Sequence, residues 1–354
     1  MAKYKCVTGF KDVYNTEHKI EGYILDIINE VSETYNFKYI DIPEFEQTML
    51  YTDYYGEEIK DSLFTIGSRA TSSISLKYSN ILSIVRSIIE NKLYVDRSLP
   101  IKLMTQDRVY KFNKRHKKAN VVYNEYNYVI AGVSNHYVDV ETIVMALDIF
   151  VSLGMEEIKL VIHKNELKVA EFNDIKKSLD KLNIEYEVSK DKKEHYDKIS
   201  YEIIYNDTIV AHGGRHDFLF TRLEAPDVPS SSLTLDIDEI KNIIEYTSLT
   251  PKMEEELDFL IVSLDKEYDA VMDIACKLRE YGVKVDISYN EYEERRVRDF
   301  IDRMNIPYTI FVNKKDIKKE IVTIRNSISK NEGEVYFEEF LEELIENNSH
   351  HHDN

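Results

Sequence analysis

The sequence predicts an α+β chain: a large region of antiparallel strands accompanied by long helices, followed by a small α/β domain. Three observations predict it. Isoleucine and valine recur at helical spacing in long stretches near the start. Tyrosine and valine crowd residues 101–133 on both sides of a basic turn, the pattern of a long hairpin. After residue 257, short apolar runs alternate with helical segments, as in strands joined by crossovers.

Ile20, Ile24, Ile27, Ile28 and Val31 share one helical face, which predicts an amphipathic helix over 17–35. FKYIDIP follows as a strand ending at Pro43. Ile74, Ile81, Leu82, Val85, Ile88 and Ile89 predict a second long helix. IKLM, RVYKF and NVVYNEYNYVIAGV read as strands, 139–153 and 166–182 as helices, and IKLVIH, EIIYN and TIVAH as further strands. DIDEIKNIIEY closes this region, 1–246, as a helix. Residues 247–257 carry a proline and a charge run and read as a linker.

The second domain, 258–347, begins with the buried strand FLIVSL. Val271, Ile274, Ala275 and Leu278 then mark a helix stopped at Gly282. VKVDISY, YTIFVN and EIVTIRN are strands, 291–304 a helix and FEEFLEELIEN a last helix. Residues 348–354 read as a disordered tail, with His350, His351 and His352 a weaker metal alternative.

Composition narrows the function classes. The chain of 354 residues is 43% hydrophobic, enough to bury real cores. No run of eighteen apolar residues exists, and MAKYKCVTGFKDVYN lacks the apolar core of a signal peptide. Cys6 and Cys276 show no metal-ligand spacing and read as reduced thiols of a cytoplasmic protein. A net charge of −19 argues against indiscriminate nucleic-acid binding, because phosphate needs local positive charge. The densest basic run, KFNKRHKK at 111–118, is either a solvated hairpin tip or an RNA contact through Lys114, Arg115, Lys117 and Lys118. Arg295, Arg296, Arg298 and Arg303 on one helix leave the same two readings open, with Glu291, Glu293 and Glu294 available as ion-pair partners.

IVAHGGRHDFLF, 209–220, combines a strand with a glycine pair and three titratable residues. Gly213 and Gly214 read as a tight turn at a strand end in preference to a close approach to a ligand. Arg215 with Asp217 reads as a structural ion pair in preference to a site pair. His212 and His216 stand four apart, but a third metal ligand is missing, so no metal is expected. Glu125, Tyr126 and Tyr128 either line a pocket or belong to an ordinary sheet with tyrosines in its core.

The order of these segments resembles histidyl-tRNA synthetase, a class II aminoacyl-tRNA synthetase, over nearly the whole chain. GFKD at 9–12, FKYIDIPEFEQTMLY at 37–51 with Pro43 and Glu46, DVETIVMALDIFVSLGM at 139–155 and HGGRHDFL carry the resemblance. FLIVSLDKEYDAVMDIACKLREYGVKVDI looks like the start of that family's anticodon-binding domain.

The resemblance implies ATP-dependent histidine activation, transfer to tRNA, and a homodimer formed through motif 1. It also implies several departures. Lys111 stands where the family grips the ATP α-phosphate with arginine, and Asn113 where it has glutamate. Glu239 takes the place of the motif 3 arginine. In GSRAT, Arg69 replaces a glutamate that binds the amino group, and only Thr71 fits. Asp191 or a nearby lysine replaces the arginine of the histidine loop, while His195 and Tyr196 stand for paired tyrosines. Glu125 and Val129 stand at the later glutamine and glutamate of motif 2.

The resulting expectation is a non-catalytic relative that binds without a cofactor. Its vestigial pocket would hold Thr71, Lys111, Glu125, Tyr196, Gly213, Gly214 and Arg215. Its partner would be a tRNA, another structured RNA, or a protein. One alternative is a histidine-sensing regulatory subunit that pairs with the catalytic subunit of ATP phosphoribosyltransferase. The other is a divergent active histidine–tRNA ligase.

Overall fold

The computed structural model describes residues 3–66, 73–95, 100–112, 121–193, 195–249, 257–289, 294–304, 306–327 and 329–349. The chain divides into two compact units, Met1–Pro251 and Lys252–Asn354.

Unit 1 opens with α1 (Thr16–Thr34), whose Ile20, Ile24 and Ile28 are buried along one face. Each such side chain contributes about 2 kcal/mol on leaving water. The expected strand at FKYIDIP shrinks to β1 (Lys38–Tyr39), paired with Leu103 and Met104. Pro43 has no N–H to continue a ladder. β2 (Phe45–Gln47) follows, then α2 (Thr48–Tyr55), a 3-10 turn (Glu57–Ser62) and β3 (Thr65–Ile66).

Ile74 lies in β4 (Ile74–Leu76), between β2 and β3, and not in the helix expected to include it. That helix, α3 (Asn80–Glu90), starts later because Ser79 caps it by accepting from the Leu82 amide at 3.4 Å. The hairpin is β5 (Ile101–Tyr110) and β6 (Val122–Ala131), paired from Ile101–Ala131 to Tyr110–Val122. IKLM and the first three residues of RVYKF therefore belong to one continuous strand, which ends at Tyr110.

Next come α4 (His136–Ser152), β7 (Ile158–Lys164), α5 (Val169–Lys181), β8 (Glu187–Ser189), β9 (Ile199–Tyr205) and β10 (Thr208–Arg215). The short α6 (Leu219–Arg222), β11 (Ser230–Asp236) and α7 (Ile237–Glu245) complete the unit. Among the described residues, eight strands form one sheet in the order β1-β5-β6-β11-β10-β9-β7-β8.

Register divides this sheet into two chemically distinct faces. One cross-strand row reads Met104, Tyr128, Leu233, Gly213, Tyr201, Ile162, and its side chains are buried. Helix α1 covers this row: Ser32 and Tyr128 hydroxyls meet at 2.7 Å, and the Tyr126 hydroxyl donates to Asn29 Oδ1 at 2.6 Å. The adjacent row, one residue along, reads Thr105, Asn127, Thr234, His212, Glu202 and faces the other way.

Gly213 and Gly214 are not a turn: both lie inside β10. A Cβ on Gly213 would strike the Tyr201 ring and the Ser232 carbonyl. One on Gly214 would strike the backbone of Ile199 and Ser200 and the Tyr196 ring.

Arg215 does not pair with Asp217. Its guanidinium is buried on the helix side, where Nε and Nη2 donate to Asp139 of α4 at 2.9 and 2.6 Å and Nη1 to Glu171 of α5 at 2.5 Å. Asp217 pairs with Lys198 at 2.5 Å.

Unit 2 comprises β12 (Phe259–Ser263), α8 (Tyr268–Glu280), β13 (Val285–Ser288), α9 (Glu294–Met304), β14 (Tyr308–Val312), α10 (Lys314–Ile317), β15 (Ile321–Asn326), β16 (Glu332–Tyr336) and α11 (Phe337–Ser349). Its sheet order is β13-β12-β14-β15-β16. Ile261, Ile310, Val271, Leu278 and Leu341 pack as a core on one face. Leu260, Val262, Phe311, Val297 and Ile301 pack on the other. Gly282, at φ 77°, follows α8 in the left-handed conformation that glycine adopts without strain.

Replacing Arg215 with methionine leaves a buried carboxylate without its cation and is expected to cost about 3–5 kcal/mol. Urea unfolding checks this. The double variant Arg215→Met/Asp139→Leu should recover much of the loss.

Candidate functional site

A cavity of about 250 Å³ opens on the polar face of the large sheet. Its floor is Glu125 of β6, Ser232 and Thr234 of β11, and His212 of β10. Its walls are aromatic. Tyr54 and Tyr55 of α2 meet edge-to-face at 4.7 Å between centroids, and Tyr55 meets Tyr78 at 5.6 Å and His195 at 5.3 Å. The Tyr54 hydroxyl donates to the His195 carbonyl at 3.3 Å, which ties the wall to the loop bearing His195 and Tyr196. Burial pushes the Tyr54 phenol up to about 12, so it stays a neutral donor.

Lys111 enters this cavity beside β5, and its Nζ donates to Glu125 at 2.7 Å. The other Glu125 oxygen accepts from Asn127 Nδ2 at 3.3 Å. Lys111 also lies 5.8 and 5.5 Å from the ring centroids of Tyr78 and Tyr123. Burial works against the ammonium, but Glu125 outweighs it and holds the Lys111 pKa above its usual value. The two charges cancel locally.

Further carboxylates gather where β11 runs into α7. Asp236 lies opposite Glu125 in the sheet and caps α7 by accepting from the Glu239 amide at 3.0 Å. Burial pushes the Asp236 carboxyl up to about 6; the Glu239 amide opposes this, and Asp238, Glu239 and Glu125 add to it. Asp238 accepts from both the Asn124 amide and its side chain, at 2.9 and 2.8 Å.

Four side chains connect across the floor. The Tyr196 hydroxyl meets His212 Nδ1 at 2.8 Å, and the Ser232 Oγ meets His216 Nε2 at 2.7 Å. The His216 ring lies tilted against the Tyr196 ring, with 4.7 Å between centroids. Burial pushes the His216 imidazole down to about 3, with the nearby His195 backbone pulling the other way. Burial also lowers His212. Both rings are therefore neutral at physiological pH. His216 Nδ1 is buried without a hydrogen-bond partner.

The structure brings Lys111, Glu125 and Tyr196 together in this cavity, and Gly214 lies against the Tyr196 ring. Gly213 and Arg215 belong to the opposite, helix-covered face and are not among the lining residues. Glu125 faces the cavity while Tyr126 and Tyr128 are buried in the core, so the two readings of that strand hold on its two faces. Tyr54, Tyr55, Tyr78 and Ser232 line the site without having been singled out in the sequence. The tyrosine-rich run 51–55 was the available signal for Tyr54 and Tyr55.

Thr71, Arg69, Asn113, Lys114, Arg115, Lys117, Lys118 and the tail histidines lie outside the described residues. On α9, Arg295 and Arg296 are exposed, while Arg298 pairs with Glu332 and lies 4.8 Å from the Phe311 ring centroid. No group of three metal-ligating side chains occurs among the described residues.

Residues 258–347 match the anticodon binding domain family. The chain is 22% identical to the histidine–tRNA ligase of Staphylococcus saprophyticus, across 90% of this chain and 94% of that protein. Its fold superimposes on apo histidyl-tRNA synthetase from S. aureus with a TM-score of 0.84, at 23% identity, over 96% of this chain and 99% of that one. The chain has the histidyl-tRNA synthetase fold. It also superimposes on the ATP phosphoribosyltransferase regulatory subunit/histidyl-tRNA synthetase of Bacillus halodurans C, with a TM-score of 0.72 at 13% identity, over 88% of this chain and 99% of that one. Within this synthetase fold the cavity lies on the open face of the large antiparallel sheet, and the match to the anticodon binding domain family falls in the second unit. No helix among the described residues is long and apolar enough to cross a membrane.

His216 gives the fold an acid-sensitive element. Its folded pKa of about 3 lies below the ordinary 6.5, so protons bind the unfolded chain first as pH falls. Its contribution is intact above pH 6.5 and is lost progressively towards pH 3. Urea midpoints across that window should fall less steeply in His216→Gln than in the parent chain.

Proposed function

We propose that this chain is a non-catalytic histidyl-tRNA synthetase relative that acts by binding a structured RNA, tRNA being the first candidate. The observation that carries the non-catalytic part is the 2.7 Å pair between Lys111 and Glu125. By the resemblance, Lys111 occupies the position of the α-phosphate-gripping arginine. Here its charge is already spent on a carboxylate, and Asp236, Asp238 and Glu239 add negative charge beside it. A triphosphate approaching this floor meets repulsion in place of a clamp.

The binding part rests on the anticodon-binding domain at 258–347 and on the exposed Arg295 and Arg296 of α9. A homodimer and a cytoplasmic location belong to the same reading, as does division of the chain into 1–246, 247–257, 258–347 and a tail.

Two other readings have support of their own. The match across more than nine-tenths of a histidine–tRNA ligase favours a divergent active enzyme. The likeness to the B. halodurans protein favours a histidine-sensing subunit of ATP phosphoribosyltransferase.

Histidine-dependent ATP–pyrophosphate exchange separates them. The proposal expects a rate lower than that of an active ligase by at least about a hundredfold, the loss typical of removing one transition-state donor. Exchange at ligase rates would overturn it. Stabilisation by free histidine without exchange would favour the sensor. In Glu125→Gln the Lys111 charge is freed, and ATP should bind more tightly than to the parent chain. Salt-sensitive tRNA binding should weaken in Arg295→Ala/Arg296→Ala.

A further inference from the structure

The loop that brings His195 and Tyr196 to the cavity wall is held in place from β7. Asn165, directly after that strand, clamps it: Nδ2 donates to the Lys193 and Tyr196 carbonyls at 2.9 and 2.6 Å, and Oδ1 accepts from the Lys193 amide at 3.2 Å. His163, in β7 itself, is buried between the loop and β9. Its Nδ1 meets the Asp191 carbonyl at 3.2 Å, and its Nε2 meets Glu202 Oε2 at 3.0 Å. The other Glu202 oxygen takes Lys193 Nζ at 2.6 Å.

Both partners of the His163 ring are acceptors. A backbone carbonyl has no proton to give, and an ionised carboxylate has none either. Burial works against the Glu202 charge, but Lys193 and His163 outweigh it and hold the Glu202 pKa below its usual value. Only an imidazolium donates from both nitrogens. A neutral ring satisfies one contact and turns a lone pair towards the other oxygen. If it keeps Glu202, the Asp191 carbonyl is released; if it keeps Asp191, the lone pair faces the Glu202 carboxylate.

We propose that His163 is a proton-operated latch on the cavity wall: protonated, it ties the loop bearing His195 and Tyr196 to β7 and β9, and its deprotonation loosens that loop. The latch concerns how the wall is held, so it is independent of whether the cavity turns over ATP. Among the described residues, the charged and titratable groups facing His163 are Glu202 from β9, Lys193 from the loop and, beyond Glu202, His212 from β10. Burial lowers His212, so it brings no second imidazolium. Opposite His163, β8 presents the neutral Ser189, which accepts from the Asp191 amide at 3.1 Å. Lys159 and Glu187, further along the same face, pair with each other at 2.9 Å. On the opposite face Lys164 lies 5.9 Å from the Phe172 ring centroid. The latch is closed at low pH and opens as pH rises, the reverse of the acid lability that His216 imposes on the whole fold.

Hydrogen exchange of the full chain, read by mass spectrometry at about pH 6 and about pH 8.5, brackets the range in which imidazoles titrate. Rates are compared with those of an unstructured chain at the same pH, which removes the intrinsic pH dependence of exchange. Peptides covering the loop should be about tenfold better protected at the lower pH, the weight of one charge-assisted hydrogen bond. His163→Gln carries no charge and should leave the loop poorly protected at both pH values. Lys193→Met leaves His163 as the cation on Glu202 and should move the opening of the loop to higher pH. The two variants touch different partners of Glu202, so a folding defect in either, read from its Tm, leaves the other decisive.

Equal protection of the loop at the two pH values, or better protection at the higher one, would overturn the proposal. So would a folded His163→Gln that keeps the pH dependence of the parent chain, or a folded Lys193→Met whose loop opens at the parent's pH or below it. Loss of protection at the higher pH shared by β12 and β14 of the second unit would report global opening in place of the latch, and would overturn it as well.

Discussion

A guanidinium buried behind the sheet determines what stands in front of it. Arg215 ends β10 with its side chain gripped by Asp139 and Glu171, which fixes α4 and α5 against the strand. Its backbone carbonyl accepts from the Asp197 amide at 2.9 Å. The Asp197 side chain in turn accepts from the Phe218 amide and from Arg222, at 2.9 and 3.3 Å. Asp197 directly follows His195 and Tyr196, so the loop that walls the cavity hangs from the residue that clamps the helices. A single buried cation thus sets both the packing of one face and the geometry of the other.

Other cations are used in the same way. Lys77 and Lys241 are fully buried, Lys77 against Asp107 and Glu44, Lys241 against Glu17, Glu21 and Asp238. Lys241 joins α7 to α1. A chain with a net charge of −19 thus places several positive groups inside, where removing one would strand several carboxylates. Little positive charge is left over in the cavity, where Lys111 is matched by Glu125.

Much of the architecture was legible in the sequence. The α1 stripe, the hairpin, the β10 segment and the alternating second unit all announce themselves through periodicity. What escaped did so for identifiable reasons. β11, SSSLTLD, carries three serines, which resemble a loop until the partners on both sides are known. α2 is short, and its tyrosines serve as cavity wall as much as core. Gly213 and Gly214 read as a turn because glycine pairs usually are one. Here the constraint comes from Tyr201, Ser232, Ile199 and Tyr196, none adjacent in sequence. The Lys111–Glu125 pair spans the hairpin, so only the register of β5 and β6 brings it together.

The two-faced sheet carries a consequence for how such a protein changes over generations. Residues that define the cavity floor alternate with residues that hold the fold, one position apart on the same strands: Glu125 beside Tyr126, Thr234 beside Leu233 and Leu235, His212 beside Ala211. A substitution on the floor leaves its neighbours' packing behind the sheet largely untouched. Chemistry and stability are inherited on separate faces of one scaffold. A lineage can therefore abandon a reaction, or acquire a new ligand, by rewriting every second residue while the body of the molecule stays as it was.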